Sequence, residues 1–110
     1  MRLALLLLLI STTAGAQTSL GNFNWRNPES RFTVPPRLTD QTQRIRWIAV
    51  DDVNAMCNME NIRRTGKPIG YNVQGCQFME NHECIIITPK ITTIHNLGHE
   101  TLHCFVGNYH

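Results

Sequence analysis

The rhythm of hydrophobic and polar positions changes several times along this chain, and each change marks an element. Residues 44–50 (R-I-R-W-I-A-V) begin as alternation and end as an apolar run, which predicts a strand. Asp51 is placed to cap a following helix, with Asp52 favourable in its first turn. Val53, Met56 and Cys57 share one face of that helix by the i, i+3, i+4 rule and are expected to be buried. Arg63 and Arg64 suit its C-terminal end, as a solvated last turn rather than a site for an acidic substrate, and Gly66 with Pro68 stops it. Residues 69–79 read as a second strand made irregular by Gly70 and Gly75, and residues 80–83 as a turn. The β-branched run at 84–88 (C-I-I-I-T) predicts a third strand, ended by Pro89. The last helix is expected over 91–106. Ile91, Ile94, Leu97, Thr101, Leu102, Cys104 and Phe105 make its apolar stripe, with His99 and His103 on the opposite side.

The N-terminal third reads differently. Residues 3–10 are uninterruptedly apolar, Arg2 precedes them, and Ala14-Gly15-Ala16 offers small residues for cleavage. This predicts a signal peptide over 1–16, too short to span a bilayer, and an exported protein, periplasmic or secreted, beginning at Gln17. The residue directly after the cleavage point is Gln17 and not Cys, so no lipid anchor and no stable membrane anchor are expected. Residues 17–43 form a polar, extended arm with a Pro35-Pro36 pair; Phe23, Trp25 and Phe32 are expected to fasten it to the body at 44–110.

A single domain of this size has a small core and gains from staples. The four cysteines all lie beyond Gln17, and an even number in an exported chain predicts two disulfides. A cysteine-zinc site is disfavoured, because no C-x-x-C pair is present. Cys57 and Cys104 lie on or beside the apolar faces of the two helices, while Cys76 and Cys84 bracket the expected hairpin. Cys57–Cys104 with Cys76–Cys84 is therefore the expected pairing out of three. The fold class is α+β: a short antiparallel sheet and two main helices, disulfide-stapled. The formal charge of +2, which falls by one without Arg2, gives no ground for expecting nucleic acid or an anionic membrane as partner.

The chemistry collects at the C-terminal end. Four of the five histidines fall in the last sixteen residues, and His99-Glu100-Thr101-Leu102-His103 is an H-E-x-x-H. On a helix, positions i and i+4 share a face, so His99 and His103 can grip one metal ion while Glu100 stands beside its open position as a general base. Gly107 can turn the chain after the helix and bring back a third histidine, His110. This motif resembles the zincin metallopeptidases, and H-E-x-x-H-x-x-x-G-x-x-H is similar to the metzincin pattern with its Gly and last His each one residue late. No Met-turn follows within the sequence.

The resemblance implies a minimal zincin-like domain with Zn2+ on His99, His103 and His110. It further implies Glu100 as general base, and the Tyr109 hydroxyl beside a developing oxyanion. By the same analogy the strand at 84–88 lines an extended peptide or protein substrate, the peptide portion of a cell wall included. His95, one turn before His99, is the alternative third ligand. Asn96 is placed to orient Glu100, and His82 lies in a turn and is expected to be inert. Two other functions stay open: a zinc-binding protein without catalysis, and a disulfide-stapled interaction protein working through its aromatic arm.

Overall fold

The computed structural model describes residues 20–110. The expected signal peptide and the first residues of the arm lie outside that range. The described chain is α+β, with elements β1 (Ile45–Val50), α1 (Val53–Thr65), β2 (Cys76–Glu80), β3 (Glu83–Pro89) and α2 (Ile94–Val106). A short 3-10 turn at Pro36–Leu38 precedes them.

The sheet order is β1-β3-β2. β3 takes the centre because it is the one segment apolar on both sides. Cys84, Ile85, Ile86, Ile87 and Thr88 are all buried. Ile86 and Ile87 are nearly inaccessible, each contributing about 1.5–3 kcal/mol of burial. β2 joins β3 antiparallel through a two-residue turn, with Glu80 opposite Glu83 and Cys76 opposite Ile87. Asn81 and His82 both take positive φ there, which fits the hairpin turn whose twist matches the strands. β1 pairs with β3 in parallel, Ile45 beside Cys84 and Val50 beside Pro89. The sheet is thus mixed and not antiparallel as expected, because α1 carries the chain back along the sheet and residues 66–75 then return along the helix, so that β2 runs opposite to β1 and β3 runs with it.

The two faces of β3 define two cores. Ile85 and Ile87 join Val53, Cys57 and Cys76 beneath α1. Cys84 and Ile86 meet Cys104 and Leu97 beneath α2. Each layer carries one disulfide: Cys57–Cys76 ties α1 to β2, and Cys84–Cys104 ties β3 to α2. This corrects the expected pairing, and the register gives the reason. Cys76 faces α1 beside Ile87, whereas Cys84 lies opposite Met79 on the α2 side. A bridge between them would have to pass through the sheet.

Local chemistry corrects three further boundaries. Asp52, not Asp51, caps α1, accepting from the Ala55 amide at 3.0 Å, while Asp51 pairs with Lys90 at 3.1 Å. The expected strand at 69–79 forms only from Cys76. Upstream, the Asn58 and Asn54 side chains on α1 accept the amides of Ile69 and Val73 at 2.9 and 3.1 Å, pinning that segment to the helix. α2 begins at Ile94 because the Thr93 hydroxyl accepts the Asn96 amide at 2.9 Å. Ile91 and Ile94, expected in the buried stripe, are 94% and 92% exposed. Arg63 and Arg64 are held by Glu60 and Glu80 at 2.9–3.3 Å, and Arg64 also lies over the Phe78 ring. These hydrogen bonds hold the Glu80 carboxyl below its usual range.

Candidate metal centre

α2 presents His99 and His103 one turn apart, and the chain then reverses. Gly107 makes the reversal at φ +73°, a region open to glycine, with its amide donating to the His103 carbonyl at 2.9 Å. The reversal brings Tyr109 and His110 back over the helix. The three Nε2 atoms converge: His99 to His103 is 3.3 Å, His103 to His110 is 2.9 Å, and His110 to His99 is 3.2 Å. Three nitrogens on a tetrahedral zinc at 2.0–2.1 Å stand about 3.3–3.4 Å apart, so these rings need to move by only a few tenths of an ångström to share one ion.

The outer nitrogens fix which inner nitrogens are bare. The Gly107 carbonyl can only accept, so His103 donates to it from Nδ1, at 2.6 Å. The Tyr109 hydroxyl donates to the His99 carbonyl at 3.1 Å and accepts from His99 Nδ1 at 2.7 Å. Both rings are thereby held with an unprotonated Nε2 facing the cluster. Lone pairs facing one another at this distance repel, and a cation between them removes the repulsion. Burial first, and then the neighbouring histidines His103, His110 and His95, push His99 down to about 4. Burial lowers His103 and His110 as well. The donor set therefore fits a borderline metal ion such as zinc.

Glu100, next to His99 on α2, lines the same cleft as the histidines and is only 6% exposed. Burial alone raises its carboxyl to about 7. It stands against Gly75, the residue before β2. A β-carbon at position 75 would lie 3.1 Å from Glu100 Cγ, 3.2 Å from its Oε1 and 3.1 Å from the Ile87 carbonyl oxygen. Only glycine lets the backbone approach this closely. Asn96, expected to orient Glu100, instead donates to the Gln74 carbonyl and to Thr92 Oγ1, both at 2.9 Å. It thus ties down the segment that touches Glu100. Neither Gly75 nor this tie was foreseen; a lone glycine entering a strand was the available signal.

The arm reaches the same place. Trp25 stacks on His110 with ring centroids 4.5 Å apart and lies 4.9 Å from His99. Phe23 lies 6.0 Å from Tyr109 and 5.4 Å from Phe32. Phe23 and Trp25 fasten the arm, to the returning C-terminal tail, while Phe32 packs on Phe23 within the arm. Tyr109 is at the cluster as expected, but its hydroxyl is committed to His99 rather than open to an oxyanion; burial and then the Glu100 charge raise its pKa. His95 lines the neighbouring cleft but stands apart from the convergent donors, which among the described residues are His99, His103 and His110.

That cleft encloses about 1030 Å³ and runs from Trp25 and the histidines along Gln74–Phe78 to Tyr71 and Ile91. The strand bordering it is β2, an edge strand. β3, expected to line a substrate, is flanked on both sides and buried in the middle of the sheet. No protein-family model, curated protein or solved structure matches this chain.

Proposed function

We propose that the protein is an exported zinc-dependent peptidase. The observation that carries this reading is the convergence of three Nε2 atoms within 2.9–3.3 Å on a helix that also bears the buried Glu100. His99, His103 and His110 would hold the ion through three donors, the ligand number of catalytic rather than structural zinc. Zinc there supplies Lewis acidity to a water and to a carbonyl oxygen. Glu100, with its carboxyl raised to about 7, is matched to accepting a proton from the attacking water near neutral pH and returning it to the leaving amine. The outer side of β2 has unpaired backbone groups for an extended peptide to meet.

Export is supported by both disulfides, which persist where thiols are oxidised. Among the described residues no helix is long and apolar enough to cross a membrane.

The test separates binding from catalysis. Glu100→Gln keeps the shape and removes the base. It is expected to retain zinc and to lose about 10²-fold or more in peptide hydrolysis. His103→Ala is expected to lose both. Zinc stoichiometry and turnover of a peptide library are measured on each; a Glu100→Gln protein equal to wild type in both assays removes the peptidase reading.

A further inference from the structure

The cleft beside the histidines is poor in charge. Its walls are largely amides, hydroxyls and apolar side chains, including Asn61, Asn72, Gln74, Gln77 and Tyr71. Among the residues lining it, Glu100 is the one acidic side chain and Arg26 the one lysine or arginine. Arg26 comes from the arm, not from the motif or the domain that carries it.

Its position is built. A turn at the tip of the arm is closed by the Asn24 amide on Ser30 Oγ at 2.9 Å, the Asn27 amide on the Asn24 carbonyl at 2.9 Å, and the Ser30 amide on the Asn27 carbonyl at 3.0 Å. The Arg26 amide itself donates to Asn24 Oδ1 at 3.1 Å. Trp25, the neighbouring residue, stacks on His110, so the turn is seated on the third member of the histidine cluster. The Arg26 guanidinium lies 4.4 Å over the Trp25 ring. That contact holds its plane without using its N–H donors. Among the described residues no carboxylate comes within ion-pair distance of Arg26; the same holds for Arg31, Arg37, Arg46 and Lys67, but of these five cations only Arg26 lines the cleft.

We propose that Arg26 is an anion-recognising residue of this cleft, and that its ligand is a peptide bearing a carboxylate close to the bond presented to the histidine cluster. The proposal rests on the peptidase reading for the identity of the ligand but not for the recognition itself. A guanidinium offers paired N–H donors that match the two oxygens of a carboxylate. That carboxylate can be the C-terminus of the peptide or an acidic side chain, and Trp25 forms the floor beneath the pair in either case. A neutral peptide would leave the guanidinium, which stands at the exposed rim of the cleft, to solvent alone.

Two peptide pairs distinguish the sources. Ala-Ala-Ala is compared with its C-terminal amide, and acetyl-Ala-Glu-Ala-amide with acetyl-Ala-Gln-Ala-amide. Binding is measured by calorimetry on the zinc-loaded Glu100→Gln protein, which does not need turnover. Each is repeated with Arg26→Met, which keeps the stem on Trp25, and with Arg26→Lys, which keeps the charge. One charged peptide is expected to bind about ten- to a hundred-fold tighter than its neutral partner. That ratio collapses in Arg26→Met and returns in part in Arg26→Lys. The pair that shows it identifies the source of the carboxylate. Equal affinities within both pairs, a ratio unchanged in Arg26→Met, or no binding by any of the four overturns the proposal. Preferential binding lost in Arg26→Met, with no cleavage by wild-type protein, upholds anion recognition and counts against the peptidase alone.

Discussion

Replacing Gly75 by alanine tests whether the position of Glu100 matters independently of the metal. The new methyl would stand 3.1 Å from Glu100 Cγ and 3.1 Å from the Ile87 carbonyl oxygen. The carbonyl belongs to the central strand and is fixed by the sheet, so the side chain of Glu100 is what gives way. Overpacking of this kind costs about 1–3 kcal/mol, read as a loss in denaturant-induced unfolding. The three histidines have no part in the clash, so zinc stoichiometry is expected to stay the same. The proposed hydrolysis is expected to respond more sharply. A displacement approaching 1 Å at a reacting group costs on the order of 10²-fold, and a shift of a few tenths of an ångström is expected to lose about ten-fold in kcat with little change in KM. Adding Glu100→Asp draws the carboxylate back by one methylene. It is therefore expected to harm the Gly75→Ala protein less than it harms wild type. Unfolding, zinc content and steady-state kinetics on the four proteins of this cycle decide the matter. A Gly75→Ala protein with wild-type kcat, or strictly additive losses in the double variant, refutes the assignment of Gly75 as the residue that seats Glu100.

Other outcomes follow from the same geometry. The two disulfides span 19 and 20 residues of sequence, so chain entropy assigns each about 3 kcal/mol. Opening either by alanine pairs should lower stability similarly, but only loss of Cys84–Cys104, which anchors the helix that carries His99 and His103, should weaken zinc binding in titrations of the folded protein; the reverse order would refute this division. Tyr109→Phe leaves the ring in place and removes the hydroxyl from His99, and zinc affinity should fall about 10- to 100-fold, the usual scale for an outer partner of a ligating histidine. Unchanged affinity would show that the hydroxyl does not orient the ligand. Burial raises the Glu100 carboxyl from 4.5 to about 7, so between those values the metal-free folded chain holds a proton that the unfolded chain has released. Stability from this group is present below about 4.5 and is lost as the pH rises through 7. The stability of metal-free Glu100→Gln relative to wild type should therefore grow with pH across that window, and a flat difference in melting would contradict the burial.

Much of the fold was legible because it depends on neighbours within one or two helical turns. The periodicity of residues 53, 56 and 57 and the β-branched run of β3 declared their elements. Glycine stops closed both helices, at Gly66 and Gly107. The shared face of His99 and His103 is a property of any helix through them. The return of His110 required only that Gly107 turn the chain. Errors in element boundaries were also local in origin: Asp51 and Asp52 are both competent caps, and the choice fell to the one whose carboxylate reached Ala55.

The disulfide pairing is instructive, since part of it was written in the sequence. A hairpin turning at residues 81 and 82 pairs position 76 with 87, which places Cys76 and Cys84 on opposite sides of the sheet whatever else happens. Which helix covers which side was not written there. That depends on α1 and the segment 66–75 that returns along it, which together set β1 parallel to β3, and on the central place of β3, decided by its apolarity on both faces.

The same distinction runs through the candidate site. The sequence by itself determined the H-E-x-x-H on one helix, its turn and its third histidine, because these groups lie within eleven residues of one another. Tertiary structure alone decided that Gly75 would touch Glu100, that Asn96 would hold Gln74, and that Trp25 and Arg26 would close over the histidines from the far end of the chain. Contacts between residues close in sequence follow from backbone geometry. Contacts across twenty to eighty residues exist only once the burial of β3 has fixed where every other segment must lie.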